Sequence, residues 1–176
     1  MNLSEYQTEA LRTLVLEKDN LKHASYGLIT EVAEIIDTFK RHEFYDIPLD
    51  VKNLKEEVGD ILWYLAVGYY SQNVVMKLEP LIFSETLTLE QVLGKLVRKA
   101  SDLFFFYNYC NEGDLATKDL DTLLDYLRVF CKLQGIDLLQ CAEDNITKLQ
   151  KRYPENFTTE QAINRDKEKE LDHIEN

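Results

Sequence analysis

Residues 27–41 limit the folds available to this chain more than any other stretch, because apolar side chains recur there at helical spacing. In GLITEVAEIIDTFKR, Glu31 and Glu34 stand among leucine, isoleucine and valine, near the edge of the apolar stripe. An ordinary amphipathic helix keeps its charges on the face opposite that stripe. The stretch therefore predicts a largely buried helix whose two acids are either a solvated rim or part of a site.

The same periodicity continues along the chain, and few residues break it. Three prolines and six glycines among 176 residues, together with 45% hydrophobic residues, favour packed helices. Capping residues predict helix starts at Ser4, Asp50 and Thr88, and Gly135 predicts a helix end. We predict an all-α fold, a helical bundle without strands, whose last helix stops at Pro154. The predicted helices are 4–18, 21–41, 51–70, 89–110, 120–134 and 137–153, with loops at 42–50 and 111–119.

We predict one domain over residues 1–154, followed by a charged C-terminal tail over 155–176. A unit of helix, loop with acids and helix spans 27–70, and a similar unit spans 94–134. The second unit lacks acids at the spacing of the first. Residues 71–133 are therefore interpreted either as an insertion or as a degenerate second repeat.

Charge and composition exclude several classes of partner. The formal net charge of −12 disfavours duplex nucleic acid and anionic membranes, since both require a basic footprint. It allows a nucleotide substrate, because a divalent cation can bridge protein acids and phosphates. No signal peptide and no membrane-spanning run are recognised, and three cysteines without C-x-x-C spacing suggest reduced thiols. We expect a cytoplasmic protein.

Two pairs of acids carry the chemistry. Glu31 and Glu34 are three residues apart in one predicted helix, and Glu57 and Asp60 have the same spacing in the next. Residues at this spacing are about 60° apart around a helix, so each pair points one way. A short loop makes the two helices antiparallel neighbours, which lets the pairs face each other. Four converging acids require neutralisation, most simply by a hard divalent cation. The competing interpretation is a solvated network of acids and lysines.

The types of residue available as ligands indicate which metal would bind. A di-iron or di-manganese bundle uses a Glu-x-x-His motif on each of two helices. Among His23, His42 and His173, only His173 follows a glutamate by three residues, and it lies in the predicted tail. Zinc would need a cluster of cysteine and histidine, which the sequence does not provide. Oxygen ligands alone predict Mg²⁺, with Mn²⁺ as its alternative.

Two stretches of the chain resemble a known family. The run from Gly27 to Ala66, with ExxE, ExxD and the following ILWYL, closely resembles the MazG-like all-α nucleoside triphosphate pyrophosphohydrolases. The later AEDNITKLQKRYPENF and AINRD are similar to elements of short members of that family. The resemblance covers residues 1–70 and 134–166, and the chain between them departs from the short members. It implies a helical bundle with a metal site between antiparallel helices.

The resemblance also implies a reaction. Members hydrolyse a nucleoside triphosphate between the α and β phosphates, giving a nucleoside monophosphate and pyrophosphate. Glu31, Glu34, Glu57 and Asp60 would be the metal-binding and catalytic acids. Either Glu31 or Glu34 would act on the attacking water as a base.

Polar and basic residues at helical spacing are candidates for binding the triphosphate. Lys148 and Arg152 are four residues apart on one predicted helical face, and Asn145 precedes Lys148 by three. Lys40 and its neighbour Arg41 follow the first acidic pair and are further candidates. For each basic residue, a solvated surface charge is the alternative interpretation.

Several alternatives stay open at this point. Trp63 and Tyr64 are either part of a pocket for the base or part of the core. The chain is either an enzyme for a common or modified ribo- or deoxyribonucleoside triphosphate, or a same-fold hydrolase of the phosphoribosyl-nucleotide or dUTP type. A non-catalytic helical interaction module is the third class. We expect a homo-oligomer, a dimer or a tetramer.

Overall fold

A computed structural model describes residues 1–15, 19–81, 87–110 and 116–153, and these ranges contain helices and no strand. The all-α prediction is thereby confirmed for this part of the chain, and the predicted tail over 155–176 and the stop at Pro154 lie outside it. Within the same ranges, no helix is both long enough and apolar enough to cross a membrane. The helices are α1 (Leu3–Ala10), α2 (Asn20–Tyr45), α3 (Val51–Ser71), α4 (Leu89–Phe105), α5 (Ala116–Gln134) and α6 (Leu138–Arg152).

The first helix begins at Leu3, one residue earlier than predicted, and ends at Ala10. A 3₁₀ turn, Leu11–Thr13, follows it within the predicted helix 4–18, whose last three residues lie outside the described ranges. Asn2 caps α1 and forms a reciprocal capping box with Glu5 instead of the box predicted between Ser4 and Gln7. Gln7 is not available for capping, because its buried amide donates to the carbonyl oxygens of Ala66 within α3 and Val74 beyond it, and accepts from the N–H of Met76. Of the predicted capping pair, Ser4 is exposed and Gln7 is buried.

The second helix ends later than predicted. It continues past Arg41 to Tyr45, so the first part of the predicted loop 42–50 is helical. The helix ends at Asp46, which adopts the left-handed conformation with φ of 54°. Asp50 caps α3 as predicted, and its side chain accepts a hydrogen bond from the backbone N–H of Asn53. The resulting connection between α2 and α3 is short.

Some of the other predicted helix boundaries agree with the structure, and some do not. Thr88 and Gln91 form the predicted capping box of α4, and Gly135 ends α5 with φ of 66°. The last turn predicted for α4 is a π-helical turn, Phe106–Cys110. The loop predicted over 111–119 is too long, because α5 begins at Ala116.

Helices α2 and α3 form an antiparallel hairpin. The side-chain amide of Asn53 donates to Thr38 Oγ1 at 2.9 Å near the connection. At the other end, Tyr64 packs its ring against Gly27, so that a Cβ on Gly27 would lie 2.1 Å from Tyr64 Cε1. The sequence numbers of the paired residues fall on α2 as they rise on α3, which defines the antiparallel register. This register brings the two acidic pairs to the same level.

Helices α4 and α5 form a second hairpin that packs against the first. Lys99 on α4 pairs with Asp119 on α5 at 2.8 Å, and Tyr69 on α3 donates to Asp121 on α5 at 2.6 Å. The buried apolar core includes side chains from both hairpins. The described part of residues 71–133 therefore contributes to the core of the bundle, and its origin as an insertion or a repeat stays a prediction.

Helix α6 packs against α3 at a point of very close approach, and α1 covers both. A Cβ on Gly59 would lie 3.0 Å from Asn145 Cβ and 3.2 Å from the carbonyl oxygen of Cys141. Tyr6 of α1 is completely buried and reaches both Gly59 and Asn145 with its hydroxyl. The three helices α1, α3 and α6 therefore meet at the level of the acids.

Candidate metal centre

Three acids on two helices converge. Glu31 of α2 and Glu57 and Asp60 of α3 each present a carboxylate oxygen within 4.8 Å of the others. The spacing of three residues turns the two acids of α3 to one side, and the antiparallel register places Glu31 opposite them. Glu34 is exposed and is not part of this group, although it lines the same cavity.

The donor set suits a hard divalent cation. Mg²⁺ binds oxygen ligands at 2.0–2.1 Å, so ligands on opposite sides of the ion are about 4.2 Å apart. The corresponding separation around the larger Ca²⁺ is about 5 Å. The three carboxylate oxygens lie within 4.8 Å of one another, which accommodates Ca²⁺ as they stand and Mg²⁺ after a small inward movement of the side chains. The residues present therefore fit an ion of this class.

Without a cation, one of the three acids is protonated, namely Glu57. Glu57 is 7% exposed and shares a hydrogen bond with Glu31. Burial raises the pKa of Glu57 to about 9, and the charges of Asp60 and Glu31 add to this effect. Two effects also raise the pKa of Glu31: its burial, which is the larger, and the charge of Asp60. Glu57 is consequently the proton donor to Glu31 at neutral pH.

A buried lysine balances part of the remaining charge. Lys148 of α6 is 2% exposed and forms an ion pair with Asp60, and its Nζ lies 3.5 Å from Glu56 Oε1. Glu56 is itself buried, and the sequence reasoning missed it. The signal was available as two consecutive acids within the apolar run of KEEVGDILW.

An amide and a phenol extend this network. Asn145 Nδ2 donates to Asp60 Oδ1 at 2.8 Å, and Asn145 Oδ1 accepts from the Tyr6 hydroxyl at 2.9 Å. Asn145 is 3% exposed and Tyr6 is 0% exposed. Tyr6 was also missed, because a tyrosine in an amphipathic helix carries no sequence signal that separates a core role from a site role.

The acids line a cavity of about 490 Å³, which aromatic rings line as well. Trp63 and Tyr64 follow Asp60 by one turn of α3 and make edge-to-face contacts, with centroids 5.0 Å apart for Trp63 and Tyr64 and 5.6 Å apart for His23 and Tyr64. A cavity of this volume is within the usual range for small-molecule sites. The lining residues are His23, Glu31, Glu34, Asn53, Glu56, Glu57, Asp60, Trp63, Tyr64, Leu149, Arg152 and Tyr153.

The four predicted phosphate-binding residues occupy three kinds of position. Arg152 lines the cavity. Asn145 and Lys148 are buried beside Asp60 and contact the acid. Lys40 is exposed, pairs with Asp37 and is not among the cavity residues. Their contacts with phosphate stay predictions.

No protein-family model matches the chain, and neither a curated protein nor a solved structure matches it. The resemblance to MazG-like pyrophosphohydrolases therefore stands on the quoted motifs, and the geometry stands on the residues of this chain.

Proposed function

We propose that this protein is a MazG-like, divalent-metal-dependent nucleoside triphosphate pyrophosphohydrolase with Mg²⁺ as its metal, replaceable by Mn²⁺. One observation carries the proposal: carboxylate oxygens of Glu31, Glu57 and Asp60 lie within 4.8 Å of one another, and all three residues line one cavity. The aromatic rings that line the same cavity suit a nucleobase, because every base offers a flat π-face for stacking. Arg152 offers a guanidinium in the same cavity.

The proposed reaction is a substitution at the α-phosphorus. The oxygen of water forms a bond to this phosphorus, the bond to the bridging oxygen of the β-phosphate breaks, and pyrophosphate leaves with the electron pair. A bound divalent cation lowers the pKa of a coordinated water and neutralises phosphate charge. The water proton passes to a carboxylate, for which Glu34 is the first candidate because it lines the cavity outside the three-acid group. Glu31 is the alternative.

The test is release of pyrophosphate from a panel of ribo- and deoxyribonucleoside triphosphates, measured with Mg²⁺ and with a chelator. We expect turnover only with the metal, and a loss of at least 100-fold in Glu57→Gln and Asp60→Asn. Glu43→Gln is the matched control, since Glu43 is an exposed acid on the same helix as Glu31. Undiminished activity in the two site variants would refute the proposed metal centre.

The same panel separates the alternative functions. Turnover confined to dUTP, or to phosphoribosyl nucleotides added to the panel, would place the chain among the narrower hydrolases. No turnover with any of these substrates, together with thermal stability that is independent of Mg²⁺, would favour the non-catalytic interaction module.

We also propose that the chain forms a homo-oligomer, a dimer or a tetramer. Phe105 and Tyr109 are exposed and stack on each other with ring centroids 5.3 Å apart, and contiguous apolar surface favours association. Sedimentation at several protein concentrations tests the proposal. A monomer at every concentration would refute it.

A further inference from the structure

We propose that Tyr6 is a positioning residue for the metal centre: through Asn145 it fixes the carboxylate of Asp60, with Oδ1 held and Oδ2 left for a cation. The proposal rests on the proposed metal-dependent function. It extends the site to α1, which contributes no acid to it. Metal-binding carboxylates are generally held by hydrogen bonds of this kind, and loss of such partners weakens metal binding.

The orientation of the Asn145 amide is determined by its two neighbours. An ionised carboxylate accepts hydrogen bonds and donates none, so the NH₂ group must face Asp60. The amide oxygen then faces Tyr6, whose hydroxyl donates to it at 2.9 Å. The reverse orientation would put two acceptors against each other at the acid. Tyr6 therefore stabilises the one orientation of the amide that can hold Asp60 Oδ1.

The tyrosine hydroxyl remains a donor under all ordinary conditions. Burial, with the charge of Asp60 as a smaller contribution, keeps the pKa of Tyr6 well above its usual value. The hydroxyl has one proton and two acceptors, and Asn145 Oδ1 at 2.9 Å is closer than the carbonyl oxygen of Gly59 at 3.3 Å. The ring itself is fully buried, so its position is set by packing.

The absence of a side chain at Gly59 is the second independent observation. A Cβ at this position would lie 3.0 Å from Asn145 Cβ and 3.3 Å from Asn145 Nδ2. Glycine is unfavourable inside a helix by about 1 kcal/mol relative to alanine. Its presence one residue before Asp60 allows Asn145 to approach the acid closely enough for the 2.8 Å hydrogen bond.

A neutral donor has an advantage over the lysine that shares the acid. Lys148 also contacts Asp60 Oδ1, but its positive charge repels an incoming divalent cation. The amide of Asn145 fixes the same oxygen without adding charge. Positioning by Tyr6 and Asn145 is thus compatible with metal binding in a way that the ion pair alone is not.

The test is a titration of the full-length protein with Mn²⁺. Electron paramagnetic resonance measures the free and the bound ion. We expect Tyr6→Phe to weaken Mn²⁺ binding by about tenfold, the lower end of the effect of losing an outer hydrogen-bond partner. Tyr69→Phe is the matched control, because it removes a buried hydroxyl that donates to Asp121 at 2.6 Å. It should leave the Mn²⁺ affinity and the spectrum of the bound ion unchanged.

A second pair of variants tests the close approach. Gly59→Ala should weaken Mn²⁺ binding, whereas Gly68→Ala should not. Gly68 lies on the same helix, and a Cβ there would also meet a neighbour at 3.0 Å, namely a terminal carbon of Leu120. Gly68→Ala crowds the movable end of a leucine, whereas Gly59→Ala also crowds the backbone carbonyl of Cys141. Urea unfolding of both variants therefore accompanies the binding measurement, and unchanged Mn²⁺ binding in a folded Gly59→Ala would contradict the role of the close approach.

The outcomes separate the two proposals. If the unmodified protein binds no Mn²⁺, the proposed metal centre is wrong and the positioning role falls with it. If the protein binds Mn²⁺ and Tyr6→Phe binds it equally well, only the positioning role is refuted. Equal weakening in Tyr6→Phe and Tyr69→Phe would also refute it, because the effect would then reflect general stability.

Discussion

Replacing Glu57 by glutamine should stabilise the metal-free protein at pH 8 relative to the unmodified chain, and much less at pH 5. Burial and the neighbouring acids raise the pKa of Glu57 to about 9, from 4.5 in the unfolded chain. Folding then favours the protonated acid. Its contribution to stability is complete below pH 4.5 and is lost as the pH rises through 9. Glutamine is neutral at every pH and retains a donor for Glu31.

The magnitude follows from the pH interval. Each unit between the unfolded pKa and the working pH costs about 1.4 kcal/mol while the folded group stays protonated. Three units separate pH 5 from pH 8, and Glu57 stays mostly protonated in the folded state over this interval. The stability difference between Glu57→Gln and the unmodified protein should therefore grow by about 4 kcal/mol, a large part of a typical domain stability.

Urea unfolding at pH 5 and pH 8, in the presence of a chelator, measures this difference. Glu43→Gln, an exposed acid on α2, should follow the unmodified protein at both pH values. Saturating Mg²⁺ should reduce the gap at pH 8, by about 2.7 kcal/mol at 100 times its dissociation constant. Parallel pH profiles for Glu57→Gln and the unmodified protein would refute the proton-holding site.

Three further changes test separate parts of the structure. Lys148→Met should destabilise the metal-free protein by about 3–5 kcal/mol, because it leaves buried acids without their cation, and Mg²⁺ should recover part of this loss in urea unfolding. Gly27→Ala should displace the ring of Tyr64, raise the KM for nucleotide and lower stability by about 1–3 kcal/mol, and an unchanged KM would contradict a role for that ring in the cavity. Gly94→Ala, at an exposed position of α4 with no neighbour within 4 Å of an added Cβ, should raise the free energy of unfolding by about 1 kcal/mol in the same assay.

The sequence was sufficient to predict those features of the fold and the site that depend on local spacing. Asp50 and Gly135 mark a helix start and a helix end through their own backbone and capping chemistry, and both predictions hold. The pairing of Glu57 with Asp60 follows from helical geometry, and the short connection implies that Glu31 faces them. The second inference needed only one tertiary assumption, that two helices joined by a short loop pack against each other.

The features of the site that could not be predicted depend on tertiary contacts. The hydrogen bond from Tyr6 to Asn145 joins residues that are distant in the chain, and no local pattern reports it. The same limitation affects Lys148, whose position on a helical face suggested a phosphate contact, with a solvated surface charge as the alternative. The packing of α6 on α3 instead buries it beside Asp60. Helix faces can be read from a sequence, but the partner of each face cannot.

The ion pair between Lys99 and Asp119 has a consequence for how the bundle responds to its surroundings. It pairs opposite charges between α4 and α5 within the chain, at a separation of 2.8 Å. The α2–α3 hairpin instead brings three acids together, and Lys148 of α6 balances only part of their charge. Under the proposed function, a cation from solution supplies the rest. Amide exchange in α2 and α3 should therefore slow when divalent cations are supplied, while exchange in α4 and α5 should change little. The stability of one hairpin would then depend on the concentration of divalent cations, and that of the other would not.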